Sequence, residues 1–533
     1  VRKEIEKKNS SMDLAERISK LSPRQREQFE RKLQQQNIDI SKLTQFITTN
    51  KEEQYNLMEP VEKKEYHPLS SAQQRFFMLQ KMNSESTAYN ISFVMWLEGN
   101  VQKLEFEELT RKIIHRHETL RTSLKIIEEE PVQQIHDEVE FKIEYYHVEV
   151  KAKVEEERSS RFKVTRGLAP LSIDPATALI SSFIRPFDLE KAPLLRVGLV
   201  QLQAAKHILM FDMHHIICDG ISTNLVITDF TLFYTGLAPE PLSIQYRDFC
   251  EWQYRLIKSG KLKNQEQYWL ECFSGDLPRL NMPLDYPRPA LQSFAGDHIH
   301  FHFDQAFTRE IKELMRETNT TLYMLLLALF NVLLSKYTLQ EDIIVGSPIS
   351  CRTADLENNI GLFIETIAIR NYPREEQPFA EFLAEVKENT LKAFENQTYP
   401  FGELLEHVGN EYDRSRNPLF DAMLLVQNMG GSLETREIRD IKLTPYENAT
   451  QQGAKTDLSL EVINKSNQIF FHLEYCTALF KKETMERFIH VFKEITSAVI
   501  DNKQVKLKDI NISYQLAAAE SGLYDKAESE FAF

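Results

Sequence analysis

Met213-His214-His215-Ile216-Ile217-Cys218-Asp219-Gly220 is the most informative stretch of the chain. On its N-terminal side, His207–His215 reads as an apolar strand, and Leu194–Leu202 reads as another. On its C-terminal side, Ser222–Tyr234 reads as a helix. A His at the end of a buried strand is held rigidly, and its ordinary pKa of about 6.5 lets it exchange a proton at working pH. Adjacent strand residues face opposite sides. One imidazole of the pair can therefore face a cavity while the other faces the packed layer. Both faces of this strand are apolar, so periodicity does not say which. Asp219 has two readings. It can cap the helix that follows, or it can be a buried carboxylate paired with an Arg, fixing the turn that presents the His. Gly220 is expected to permit a backbone conformation that a Cβ would resist.

Outward from this stretch the chain alternates strands and helices. Before it come a helix over 72–82, a strand over 91–97, an amphipathic helix over 104–117 and strands over 120–127 and 139–147. The stretch 155–178 contains Pro170 and Pro175 and reads as an irregular surface insertion. The second half repeats the alternation. Strands are expected over 299–303, 343–348, 366–370, 424–427, 458–464 and 469–474. Helices are expected over 307–317, 322–337, 379–395 and 483–501. Two successive halves of this kind suggest two α/β sandwich lobes. At the N-terminus, residues 1–48 are charged and helical in pattern. Ser22-Pro23-Arg24-Gln25 forms a start signal in which Ser caps, Pro fits the first turn and Gln completes a capping box. Residues 49–67 read as a linker and 514–533 as a small, polar tail or linker.

Composition narrows the function. The chain has 533 residues, 42% hydrophobic and 27% charged, with a net charge of −15. An acidic surface matches a phosphate backbone poorly, so nucleic acid is not expected as a partner. No run of about 18 uncharged apolar residues predicts a membrane span. The start, Val-Arg-Lys-Glu, lacks a secretory pattern and an initiator Met, and reads as a fragment of a longer chain or a processed one. Five scattered cysteines (Cys218, Cys250, Cys272, Cys351, Cys476) without a C-x-x-C pair fit a reduced, cytoplasmic protein. There is no P-loop, no G-x-G-x-x-G and no G-x-S-x-G, so nucleotide hydrolysis, dinucleotide redox chemistry and α/β-hydrolase catalysis lack support.

The His-His segment resembles the H-H-x-x-x-D-G signature of the condensation domains of nonribosomal peptide synthetases. Six further segments match that family's ordered motifs: Leu69-Ser70-Ser71-Ala72-Gln73-Gln74-Arg75-Phe76-Phe77, Arg116-His117-Glu118-Thr119-Leu120-Arg121-Thr122, Tyr246-Arg247-Asp248-Phe249-Cys250-Glu251-Trp252, Ile360-Gly361-Leu362-Phe363-Ile364-Glu365-Thr366, Asn396-Gln397-Thr398-Tyr399-Pro400-Phe401 and Arg414-Ser415-Arg416-Asn417-Pro418-Leu419-Phe420. The resemblance implies an α/β fold of two chloramphenicol acetyltransferase-like lobes in a V-shaped pseudo-dimer, here 68–240 and 241–513, behind an N-terminal helical extension. It implies amide formation between carrier-protein-bound donor and acceptor thioesters. On the same basis His215 is the catalytic His, with His214, Asp219 and Gly220 in the same motif. Asp219 and Arg352 form a structural ion pair, and Glu365 and Arg121 are candidate substrate contacts. The motifs around Gln73 and His117 resemble the subtype that takes an L-configured donor. No cofactor is expected on the domain itself. 4′-phosphopantetheine arms would arrive on upstream donor and downstream acceptor carriers, beside an adenylation domain, and the fragment itself is expected to be monomeric. Epimerisation or ester formation on the same scaffold is the alternative enzyme. A non-catalytic recruitment domain is the other, and such relatives typically lose the second His.

The chemistry asks little of the protein. A thioester is activated, and an α-amine of pKa about 8 is partly neutral near neutral pH. His215 can therefore be a base or a hydrogen-bond positioner. Cys218 reads as a small buried filler. One departure is Glu365, where the family has Asn. It either adds charge to the site or is a solvated loop carboxylate. His298-Ile299-His300-Phe301-His302 puts three imidazoles on one strand face, a spacing that suits a metal. No partner set is visible in sequence, so an exposed strand face is the simpler reading and no metal is expected. Met429-Gly430-Gly431-Ser432 reads as a turn.

Overall fold

Strand Lys206–His214 is buried from His207 to its end. It runs antiparallel to Asn90–Gly99 on one side and to Leu195–Gln203 on the other. A strand covered on both faces needs no polar alternation, which is why its sequence reads as a near-continuous apolar run broken only by the buried, Arg196-paired Asp212. In this computed structural model, which describes residues 58–147, 175–408, 413–427, 435–446, 453–465 and 468–513, the chain divides into two units.

The first unit holds a six-stranded sheet in the order Arg436–Ile438, Ile441–Pro445, Asn90–Gly99, Lys206–His214, Leu195–Gln203, Glu144–His147. Ile208 and Met210 on one face pack with Val94, Val200, Leu179, Ile180 and Phe183. The last three belong to helix Pro175–Phe183. On the opposite face Phe211 stacks on Phe93 at 4.6 Å between ring centroids. A smaller antiparallel sheet joins His67–Pro68, Glu130–Ile135 and Thr122–Ile127.

The division expected after residue 240 does not follow the packing. Helix Tyr246–Lys258 belongs to the first unit. There Tyr246 OH lies 2.9 Å from Ser70 Oγ, and Gln253 Oε1 accepts the Ser71 N–H at 2.8 Å. Strand Ile441–Pro445 also returns, pairing Leu443 with Leu97 to cover an otherwise open edge of the first sheet. Short strands such as Arg436–Ile438 carry too few residues for periodicity to reveal. The strand expected over 139–147 is only Glu144–His147, and the one expected over 120–127 starts at Thr122 after a 3-10 turn. The end of the expected irregular insertion is the helix Pro175–Phe183. The rest of that insertion, the N-terminal helix, the turn at Met429–Ser432 and the tail lie outside the described residues.

The second unit holds a mixed six-stranded sheet in the order Ile364–Asn371, Ile343–Ser350, Ala422–Gln427, Leu458–Lys465, Gln468–Cys476, Gly296–Phe303. Helix Leu322–Thr338 packs against Phe379–Glu395 and Lys482–Asp501. Its run from Leu325 to Leu334 is buried on every side, as an apolar helix without a polar face requires. Thr321 caps it by accepting the Met324 N–H at 3.3 Å. Among the described residues no single helix is long and apolar enough to cross a membrane.

Candidate active site

The strand ends at His214, and a single 3-10 turn, His215–Ile217, carries the chain to Cys218. His214 is fully buried on the packed side. Its Nδ1 accepts the Ile216 N–H at 3.1 Å, and its Nε2 lies 3.3 Å from Gln80 Oε1. A nitrogen that accepts a backbone N–H carries no proton, so Nε2 carries it and donates to Gln80. His214 is thus a neutral structural imidazole in one tautomer.

His215 differs. Its ring is partly exposed and packs beside Phe76, 5.0 Å between centroids and inclined by 31°. Its Nδ1 lies 2.9 Å from the Cys218 carbonyl oxygen. A carbonyl only accepts, so Nδ1 carries the proton and Nε2 carries the lone pair. The backbone around it leaves little play. The His215 N–H donates to Tyr89 O at 2.7 Å, and its carbonyl accepts the Cys218 N–H at 3.2 Å. Ile216 O accepts from Gln73 Nε2 at 3.1 Å, and Ile217 O accepts from Thr119 Oγ1 at 3.2 Å. Every carbonyl from His215 to Cys218 is therefore engaged.

Gln73 and Thr119 are functional residues whose roles sequence reading missed. The capping box formed by Ser70 and Gln73 at the start of helix Ser71–Met82 has a legible spacing. Its second task, holding a carbonyl 143 residues away, has none. Cys218 is fully buried, with Sγ donating to His214 O at 3.5 Å.

Asp219 combines both of its sequence readings. It caps helix Gly220–Tyr234, with Oδ1 accepting the Ser222 N–H and Oγ–H, each at 2.8 Å. Arg352 Nη2 reaches Oδ1 at 2.9 Å and Oδ2 at 3.0 Å, and the Phe363 N–H donates to Oδ2 at 3.2 Å. Both ionic side chains are almost completely buried, 1% exposed for Asp219 and 5% for Arg352. The other arm of the guanidinium, Nη1, donates to Leu356 O at 2.9 Å and Asn359 O at 2.6 Å. The group also lies over the Phe363 ring, 4.4 Å from its centroid.

The expectation for Gly220 is corrected. Its φ is not left-handed, and a Cβ built on it meets nothing within 4 Å. Gly361 is constrained instead, since its Cβ would fall 2.3 Å from Tyr246 Cδ2 and 2.7 Å from Phe363 Cε2. Gly361→Ala should therefore lose about 1–3 kcal/mol of stability to overpacking. Gly220→Ala should stay within about 0.5 kcal/mol of the parent. Urea unfolding of the two variants side by side checks this, and equal midpoints would remove the distinction.

His117 lies in the same unit, 1% exposed. Its Nδ1 accepts the Ile360 N–H at 3.3 Å, so its Nε2–H donates to Asp229 Oδ2 at 2.8 Å. Burial holds its pKa below the ordinary imidazole value despite the opposing pull of Asp229. A depressed imidazole stabilises the fold fully above its unfolded pKa of about 6.5, and that stability is lost as pH falls toward the folded value. Each further proton taken up on unfolding steepens the loss by about 1.4 kcal/mol per pH unit. The urea midpoint should fall from pH 7.5 to pH 5, and His117→Gln should flatten part of that slope. An unchanged slope would exclude His117 as a contributor.

Arg121 and Glu365 are both buried. Arg121 is buried in the first unit, where Nη1 donates to the His136 carbonyl at 2.5 Å and Nη2 lies 3.6 Å from Glu118. It clamps the hairpin Thr122–Ile135. Glu365 is 8% exposed within strand Ile364–Asn371, and most of that strand lies in the second unit. The solvated-loop reading fails because the strand carries the side chain inward.

Comparison with known proteins follows the same lines. The family model described as "Condensation domain" matches residues 63–520. Gramicidin S synthase 2 of Brevibacillus brevis is 42% identical over 475 residues, 89% of this chain and 10% of that protein. Bacitracin synthase 2 of Bacillus licheniformis is 42% identical over 474 residues, 89% of this chain and 17% of that protein. The chain thus spans between a tenth and a fifth of the length of these two relatives. Among solved structures, the X-domain from teicoplanin biosynthesis superposes with a TM-score of 0.76 at 21% identity, covering 86% of this chain and 100% of that one. That likeness speaks for the fold alone. With a family model over most of its length and relatives at this identity, the chain belongs to the condensation-domain family of nonribosomal peptide synthetases.

Proposed function

We propose that this enzyme transfers an acyl or peptidyl group from a donor carrier thioester to the amine of an aminoacyl thioester on an acceptor carrier. The observation that supports it is the lock on His215, whose Nδ1–H is held by Cys218 O so that Nε2 presents a lone pair. The amine nitrogen attacks the donor carbonyl carbon. The tetrahedral intermediate collapses with cleavage of the C–S bond, giving an amide and the donor's free thiol. The nitrogen loses one proton and the sulfur gains one. Nε2 accepts the N–H hydrogen bond, holds the amine in line, and takes the proton as the C–N bond forms. No covalent enzyme intermediate is needed, because the thioester supplies the driving force. Orientation of two tethered reactants contributes up to about 7–11 kcal/mol in ideal cases. One positioned base adds about 10²–10⁴-fold.

On this reading His214, Asp219 and Arg352 hold the turn, and Gly220 leaves open space beside it. The two units are taken as the lobes of the V-shaped pseudo-dimer that the family resemblance implies. The thioesters arrive on 4′-phosphopantetheine arms of upstream and downstream carriers, next to an adenylation domain, in the cytoplasm. The L-donor subtype remains part of the proposal. Mixing the protein with an L-aminoacyl donor carrier and an aminoacyl acceptor carrier should shift the acceptor's intact mass by one residue. A D-configured donor should react far more slowly. If the donor residue is instead racemised without any acceptor, the epimerase reading replaces this one.

A further inference from the structure

We propose that the second unit carries a transition-metal site, separate from the His215 turn, in which His298, His300 and His472 bind a divalent cation such as Zn²⁺. Strand Gly296–Phe303 pairs antiparallel with Gln468–Cys476, placing His300 opposite His472 and His298 opposite Glu474. The next strand places Glu461 opposite His472. Residues two apart on a strand, and residues directly opposite across a ladder, share a face. Three imidazoles and a carboxylate therefore converge on the sheet face opposite Phe301 and Phe471. Those two rings stack at 4.6 Å and pack with Phe492 in the core.

The three imidazole centroids are 4.6–4.8 Å apart, and their candidate ligand nitrogens all lie within 4.8 Å of one another. Tetrahedral zinc, with Zn–N bonds of about 2.0–2.1 Å, needs nitrogens about 3.4 Å apart. Side-chain rotation can supply that closure without moving the sheet.

Glu461 supplies the outer support. Its Oε2 lies 3.4 Å from His472 Nδ1, and Gln427 Nε2 donates to its Oε1 at 2.5 Å. A carboxylate on Nδ1 fixes the tautomer that turns Nε2 toward a metal. His302, on the same strand face, is outside the cluster and lies against Phe470, 5.9 Å between centroids. Glu474 is engaged by the Lys455 N–H at 3.3 Å and serves as a neighbour rather than a ligand. His300 is exposed, which leaves a route for the ion and an open fourth position for water. The site could not be read along the sequence because its third ligand comes from a strand more than 150 residues away.

The test uses the whole chain, purified without a polyhistidine tag and stripped with a chelator. Titration with Zn²⁺ by calorimetry should show one saturable equivalent. Co²⁺ should give the intense visible absorption of a four-coordinate site. His300→Ala and His472→Ala should each weaken binding by more than about 100-fold, and Glu461→Gln by about 10–100-fold. His302→Ala should bind as the parent does, which separates this cluster from adventitious capture by surface histidines. Circular dichroism of each variant checks that the fold persists. Absence of a stoichiometric equivalent, or equal affinity in the His300→Ala/His472→Ala double variant, would overturn the site.

Discussion

His215→Ala should slow condensation by about 10²–10⁴-fold, the range for removal of one positioned general base, while the protein unfolds at nearly the parent's urea concentration. The two halves of this expectation have separate physical origins. His215 is partly exposed, and its Nδ1–H donates to the Cys218 carbonyl. Once the ring is gone, water can reach that oxygen, so no strong desolvation penalty remains. The turn itself is held by other groups. Gln73 grips Ile216 O, Thr119 grips Ile217 O, and Tyr89 O receives the residue 215 N–H. An alanine at 215 therefore loses chemistry and little else. His215→Gln separates the two roles that the imidazole can play. A Gln amide can accept a hydrogen bond from the amine, but it does not take a proton at neutral pH. If Nε2 mainly positions the amine, the Gln variant should recover much of the rate. If Nε2 takes the proton, Gln should be as slow as Ala, and in both the acid limb of the pH–rate profile should reduce to that of the acceptor amine alone. Single-turnover transfer between loaded carriers, followed by intact mass, reads all three proteins. Undiminished product from His215→Ala would remove the residue from the mechanism.

Legibility in sequence followed the distance over which each feature is encoded. Elements set by their own periodicity were readable, such as the apolar strand ending at His214 and the helix Leu322–Thr338. The His-His segment was readable as a strand-turn-helix junction because apolar runs flank it on both sides. Which ring faced the packed layer was not, because a strand buried on both faces carries no alternation. Features written across the chain were invisible. The strand Ile441–Pro445 closes a sheet edge more than 300 residues from its partner Asn90–Gly99. The clamp of Gln73 on Ile216 O and the metal-type cluster at His472 are of the same kind. Gly220 shows a further limit: a glycine in a motif suggests strained backbone, yet here the free space beside it is the observation. Arg121 shows the converse, since a charged residue in a matched segment serves the hairpin beside it.

Arg352→Ala should cost about 3–5 kcal/mol of stability, the price of stranding one partner of a buried ion pair. The guanidinium is a planar fork whose two ends do different work. Nη2 bridges both oxygens of Asp219, while Nη1 closes the loop by taking Leu356 O and Asn359 O. Alanine removes both functions and leaves a carboxylate that is 1% exposed with only the Ser222 and Phe363 donors. Lysine retains the charge but lacks the fork, so Arg352→Lys should recover only part of the loss. Asp219→Asn in the Arg352→Ala background should recover more, because the stranded charge disappears while the helix cap survives. Arg352→Met with Asp219→Asn should stand closest to the parent in stability, since apolar volume replaces the guanidinium stem. This ordering is specific to a desolvated pair. A solvent-screened bridge would place all four variants within about 1 kcal/mol of the parent. Urea unfolding of the series measures it. An Arg352→Ala protein that unfolds with the parent's midpoint would mean that Asp219 holds the His215 turn through its helix cap alone.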